Sequence, residues 1–162
     1  MPRKKPDPGF VLDQHDRKIL RLLQRTNKVP HRIIAEAINL STAAVQRRII
    51  AMEAAGVIRK NVALVDPDAV SVTITAIVEV QLNDERASTV DRMKALFRDT
   101  PDVQQCFYVT GGVSFVLIIV TPDMRNYEGL TRRLFAENEL VRSYRTLIAL
   151  DRVKTDTAIV IP

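Results

Sequence analysis

At 162 residues and 46% hydrophobic content, the chain can bury one packed domain or two small ones, and 27% charged residues is ordinary for a globular protein. Its net charge of +5 is unevenly spread: residues 1–60 hold 13 Lys or Arg against 5 Asp or Glu, and residues 61–162 hold 11 against 14. No long apolar run occurs, and the basic MPRKKPDPGF start lacks a following apolar segment, so neither membrane span nor signal peptide is expected and a cytoplasmic location is predicted.

Residues 1–9, rich in Pro, Lys and Arg, cannot bury apolar surface and are expected to form a flexible basic arm. Asp13 or Asp16 can start a first helix, whose stripe is Ile19, Leu20, Leu22 and Leu23. Pro30 opens a second helix burying Ile34, Ala35 and Ile38, and Asn39-Leu40 makes a turn. Ser41 can cap a third helix over 41–55, with Val45, Ile49 and Met52 on its buried face and Gly56 closing it in the left-handed region. Residues 57–65 alternate apolar positions around Arg59 and Lys60, which reads as a hairpin-like wing. Residues 10–65 are thus expected to form a winged helix-turn-helix domain.

Asp66-Pro67-Asp68 is a turn signal and marks the expected start of a second domain, 66–162. From residue 72 to 82 the chain alternates strictly, as a half-buried strand does. Helical spacing follows over 83–98, then two β-rich runs, 103–110 and 113–121, joined at Gly111-Gly112 by a two-residue hairpin turn. A second helix is expected over 123–138, a long strand over 141–153 and a short one over 158–161. This β-α-β-β-α-β order is the ferredoxin-like plan, so the whole chain is α+β. Ile77 and Leu147 put apolar side chains on the face without helices, which predicts a homodimer through this domain.

The basic first third and the helix-turn-helix geometry point to double-stranded DNA as partner. Thr42 and Gln46 are expected near base edges, Gln being suited to bidentate pairing with adenine. Arg47 and Arg48 divide between guanine and phosphate, Ser41 and Ala44 lie alongside, and Arg59 and Lys60 reach from the wing. His15 and His31 lie in different helices without companions, so no metal site is expected. Gly111-Gly112 lacks the following helix and lysine of a phosphate loop, and no serine has a histidine partner, so neither cofactor nor enzymatic activity is predicted. Cys106 excludes an internal disulfide and reads as a small core residue in a strand.

The phrases LDQHDRKILRLLQ, LSTAAVQRRI, AAGVIRK and VTGGVSFVLIIV, at their observed spacing, resemble the Lrp/AsnC (feast/famine) family of prokaryotic transcriptional regulators over roughly residues 10–155. The resemblance implies a DNA reader joined to a ligand-responsive domain, assembled into dimers and often octamers, with amino acids as usual effectors. Ser41, Val45, Gln46, Arg48 and Glu53 match the family's recognition helix, while Ile50 and Ala51 stand where members often carry Arg or Lys. Gly111, Gly112, Val113 and Ser114 replace an acidic Gly-Asp-x-Asp loop, and Tyr144-Arg145-Thr146 replaces a Thr-x-Thr. The implied effector residues are Thr110, Gly111, Gly112, Ser114, Tyr144 and Thr146. The alternative is a small-molecule-binding ferredoxin-like oligomeric module with no DNA-reading role.

Overall fold

Three helices open the structure, a computed structural model that describes residues 6–162: α1 (Gln14–Arg25), α2 (His31–Ile38) and α3 (Thr42–Ala54). Asp13 caps α1 in a reciprocal capping box: its carboxylate accepts from the Asp16 backbone N–H at 2.9 Å, and the Asp16 carboxylate accepts from the Asp13 N–H at 3.1 Å. Asn39 takes the left-handed conformation (φ 57°) that turns α2 into α3, and Ser41 Oγ accepts from Ala44 N at 3.2 Å. Ile19, Ile34, Ala35, Ile38, Val45, Ile49 and Met52 form the shared core. Each large side chain buried there contributes roughly 1.5–3 kcal/mol. Leu20 and Leu23 only flank it, half-buried.

The chain divides into two units, one comprising the described residues up to Leu64 with Thr155–Pro162, the other Val65–Lys154. Residues 155–162 thus pack with the first unit in the structure. They form no strand: Gln24 pairs with the Ile159 backbone through two 2.9 Å hydrogen bonds, and Arg21 donates to Ile161 O at 3.2 Å. Polar side chains of α1 thus satisfy backbone groups that a sheet would otherwise pair. Residues 1–5 of the expected arm lie outside the described residues. Asp7 to Gly9 forms a turn, Asp7 N donating to Ala55 O at 2.9 Å, so this part of the arm is fastened to the end of α3.

Among the described residues, 57–65 form no hairpin of the kind expected for the wing. Val57 N and Ile58 N both donate to Met52 O, at 2.9 and 3.2 Å, so the segment begins by closing α3 behind Gly56 (φ 74°). Beyond it, residues 59–65 join no sheet among the described residues, and Val62, Leu64 and Val65 are exposed. A hairpin needs a tight turn and a return strand, and this stretch supplies neither.

The second unit contains β1 (Ile74–Leu82), α4 (Ala87–Arg98), β2 (Val103–Tyr108), β3 (Phe115–Thr121), α5 (Met124–Thr131) and β4 (Val141–Ile148). The sheet order is β2-β3-β1-β4, all antiparallel. Ala76, Val78, Val80 and Leu82 pack with Phe115, Leu117 and Ile119 against Val90, Met93 and Phe97 of α4 and Tyr127, Leu130, Leu134 and Phe135, so both helices cover one face. The second helix does not continue as α-helix to 138: it widens into a π-helical turn at Arg132–Ala136. The last strand stops at Ile148, after which Arg152 turns back. Its guanidinium donates to Thr75 Oγ1 (2.8 Å), Asp68 Oδ1 (2.9 Å) and the carbonyls of Val72 (3.1 Å) and Thr73 (3.3 Å). The β2–β3 connection spans 109–114, longer than two residues, with Gly111 and Gly112 both at positive φ (105° and 90°) and Val109 N bonded to Ser114 O.

Strand alternation puts Ile77 and Glu79 on the opposite face. There Ile77 lies between Ile118 and Leu147, and Glu79 between Val116 and Arg145, with Phe107 beyond Val116. Arg145 and Glu79 form a 2.8 Å ion pair amid these apolar side chains.

Candidate nucleic-acid interface

The buried positions of α3 fix what it presents. With Val45, Ile49 and Met52 inward, Thr42, Gln46, Arg47 and Ile50 lie on the outward side and are exposed. Thr42 and Gln46 are separated by one turn and share a strip, with Arg47 beside it. Arg47 makes no ion pair among the described residues, so its guanidinium is available to a ligand. Ser41 is exposed but its hydroxyl is engaged as the helix cap, and Ala44 is half-buried. Arg59 and Lys60 are exposed on the extended segment after Gly56.

Arg48 has a different place. Its Nη1 lies 2.7 Å from Asp13 Oδ2 and 2.8 Å from Asp16 Oδ1, clamping α3 to the start of α1. The Asp16 side chain is only 6% exposed. Hydrogen bonds to Asp16 and then Asp13 raise the Arg48 pKa further, so the cation is fixed. The Asp13 carboxyl is held below its ordinary value, chiefly by the Asp16 backbone N–H and, more weakly, by Arg48. Arg48 thus sits at the junction of α3 and α1 with its charge paired to two carboxylates. The signal for this was present in the two carboxylates three residues apart at the head of α1.

The residues singled out for an effector divide likewise. Thr110, Gly111 and Gly112 are exposed on the β2–β3 loop. Ser114 is buried: its Oγ accepts from Leu82 N at 3.0 Å and donates to Glu85, which also accepts from Tyr108 OH at 2.9 Å. Thr146 Oγ1 is bonded to Tyr127 OH, and the Tyr144 ring packs on Phe135 at a centroid distance of 4.9 Å. Val80 pairs with Phe115 on one side and Tyr144 on the other, so the end of the loop and β4 meet at one level of the sheet, with the Ser114 and Thr146 hydroxyls engaged internally. Glu85 escaped sequence reasoning because its link to Ser114 spans 29 residues. Cys106, expected in the core, is exposed because β2 is an edge strand.

Among the described residues, no helix is long and apolar enough to cross a membrane. A winged helix-turn-helix DNA-binding model matches residues 12–59, and the Lrp/AsnC ligand binding domain matches residues 75–159. An uncharacterised HTH-type transcriptional regulator of Sinorhizobium fredii is 39% identical over 153 residues, covering 94% of this chain and 90% of that protein. The crystal structure of an AsnC family transcriptional regulator from Agrobacterium tumefaciens superposes with a TM-score of 0.84 at 32% identity, covering 91% and 96% of the two chains. A Neisseria meningitidis transcriptional regulator in complex with L-Met superposes with a TM-score of 0.83 at 26% identity, covering 92% and 96%. These matches support the regulator and not a module without a DNA-reading role. With a helix-turn-helix domain followed by this ligand-binding domain along nearly its whole length, the chain belongs to the Lrp/AsnC family of DNA-binding transcriptional regulators.

Proposed function

We propose that Thr42, Gln46 and Arg47 enter the major groove, Gln46 meeting an adenine edge and Arg47 a guanine or phosphate, while Arg48 keeps α3 at its angle. The observation that carries this is the outward strip of α3, where these three side chains are exposed and Arg47 forms no ion pair among the described residues. Arg59 and Lys60 hold flanking phosphates, and Ser41 and Ala44 face the backbone at the helix start. A homodimer forms across the open sheet face of Ile77, Val116, Ile118 and Leu147, and higher assembly builds on it. The second unit answers to an amino acid or related metabolite around the 110–114 loop, a reading supported by the L-Met complex of the Neisseria meningitidis regulator. The work is done in the cytoplasm and is not catalytic, in keeping with the regulators this chain resembles.

Electrophoretic retention of genomic fragments, followed by footprinting, tests the reading. Protected half-sites should recur about one helical turn apart or at multiples of it. Gln46→Ala should cost about 1–3 kcal/mol at one base position only. Failure to retain any fragment in dilute buffer, or a monomer at working concentration, would overturn it. For the effector, thermal shifts are measured across the amino acids with wild type and with Gly112→Asp, which restores one loop carboxylate. If no amino acid moves either protein, the effector assignment is wrong.

A further inference from the structure

On the helix side of the edge strand β2, the structure holds a cleft of about 380 Å³ against α4. Clefts that hold small molecules begin at about 300 Å³. Phe97 and Phe115, edge to face at a centroid distance of 5.3 Å, are fully buried beneath its floor, and Val103 and the exposed Tyr108 supply its accessible apolar surface. Lys94 and Arg98, one turn apart on α4, bring two positive charges to the same space. Lys94 Nζ stands 4.6 Å from the centroid of the Tyr108 ring, and its contact with Asp91 is long, at 3.8 Å. Arg98 forms no ion pair among the described residues. No acidic side chain lines the cleft, and the Glu85 carboxylate nearby is taken by Tyr108 and Ser114. Two like charges at i and i+4 repel until an anion lies between them.

We propose that this cleft binds a small organic monocarboxylate with an apolar body, its carboxylate against Arg98 and Lys94 and its hydrocarbon on Val103 and the Tyr108 ring. The planar guanidinium fork of arginine matches a carboxylate. The aromatic lining selects against inorganic anions, which gain nothing from it. Because no carboxylate is there to meet an ammonium group, a deaminated acid, such as a branched 2-oxo acid or an aryl-alkanoic acid, fits better than a free amino acid. The site shares no residue with the 110–114 loop and β4 set, and goes beyond the effector reading above.

Cys106 lines the cleft, is reachable by solvent and is the single cysteine of the chain, so its alkylation reports occupancy. The uncharged reagent N-ethylmaleimide is used on the full chain, with phenylacetate and 4-methyl-2-oxopentanoate as probes. Both acids should slow alkylation at least about five-fold at saturation, and Arg98→Gln should raise the half-protecting concentration roughly ten-fold, while Arg98→Lys retains much of the protection. An unchanged melting temperature establishes that Arg98→Gln is folded. The proposal is overturned if phenylacetamide protects as well as phenylacetate, if acetate or inorganic phosphate does so, or if L-phenylalanine protects at lower concentration. Absence of protection by both acids overturns it too. None of these measurements involves DNA, so their failure leaves the reader assignment standing.

Discussion

Arg47 and Arg48 are adjacent in sequence, yet the structure assigns them opposite consequences on substitution. Arg48→Ala removes the cation that bridges Asp13 and Asp16. Asp13 is 48% exposed at its side chain, and an exposed pair of that kind contributes about 0.2–1 kcal/mol. Asp16 is 6% exposed, and stranding a fully buried carboxylate costs about 3–5 kcal/mol. Asp16 retains the hydrogen bond from Asp13 N, and Arg48 itself is 28% exposed, so a net loss of about 2–3 kcal/mol follows. For a unit of 60–100 residues this lowers the melting temperature by roughly 10–20 °C. Arg47→Ala breaks no ion pair and should leave the midpoint within about 2 °C, while weakening DNA binding and lowering the salt slope by about one. Circular dichroism melts of the full chain and salt-titrated retention at 10 °C separate the two. If Arg48→Ala melts with wild type and loses DNA in the manner of Arg47→Ala, the clamp is wrong and Arg48 is a reader.

The same cluster has an acid limb. Because the Asp13 pKa is depressed in the fold, its contribution is full above the ordinary carboxylate value of 3.8 and is lost as pH falls through the lower folded one. Melts between pH 5 and 2 should therefore fall more steeply for wild type than for Arg48→Ala. Ile50 is 55% exposed on the outward side of α3, where it offers DNA no charge. Ile50→Arg should tighten binding to all fragments and steepen the salt slope by about one, as measured by retention at several salt concentrations. Arg152→Ala removes four hydrogen bonds that tie the segment after β4 to residues 68–75, and should cost the second unit about 1–3 kcal/mol, with faster amide exchange around β1. An unchanged exchange pattern would show the clamp to be idle.

Where one side of an element meets a core, periodicity was enough to place it. Val45, Ile49 and Met52 located α3, and the alternation read from residue 72 to 82 located β1, which begins at Ile74, and its inward face. Local chemistry served equally well at Asp13, Ser41 and Asn39, whose hydrogen bonds or backbone angles lie within three residues. What failed depended on partners distant in sequence. Residues 57–65 have the composition of a strand and no strand to pair with, and residues 158–161 meet Gln24 and Arg21 instead of a sheet. Cys106 looked like core because a strand's position in the sheet, at the edge or in the middle, is not written in its own residues. The carboxylates that pair with Arg48 were likewise out of view, lying 32 and 35 positions away.

The Glu79–Arg145 pair sits among Ile77, Val116, Ile118, Leu147 and Phe107 on the open face of the sheet. A surface that seals this face must dehydrate both charges, and only one offering hydrogen-bonding groups at that spot leaves them satisfied. Greasy surfaces that approach out of step strand the ions and fall away. In the proposed homodimer, this charged couple would thus favour a mating surface that offers hydrogen-bonding groups at that spot.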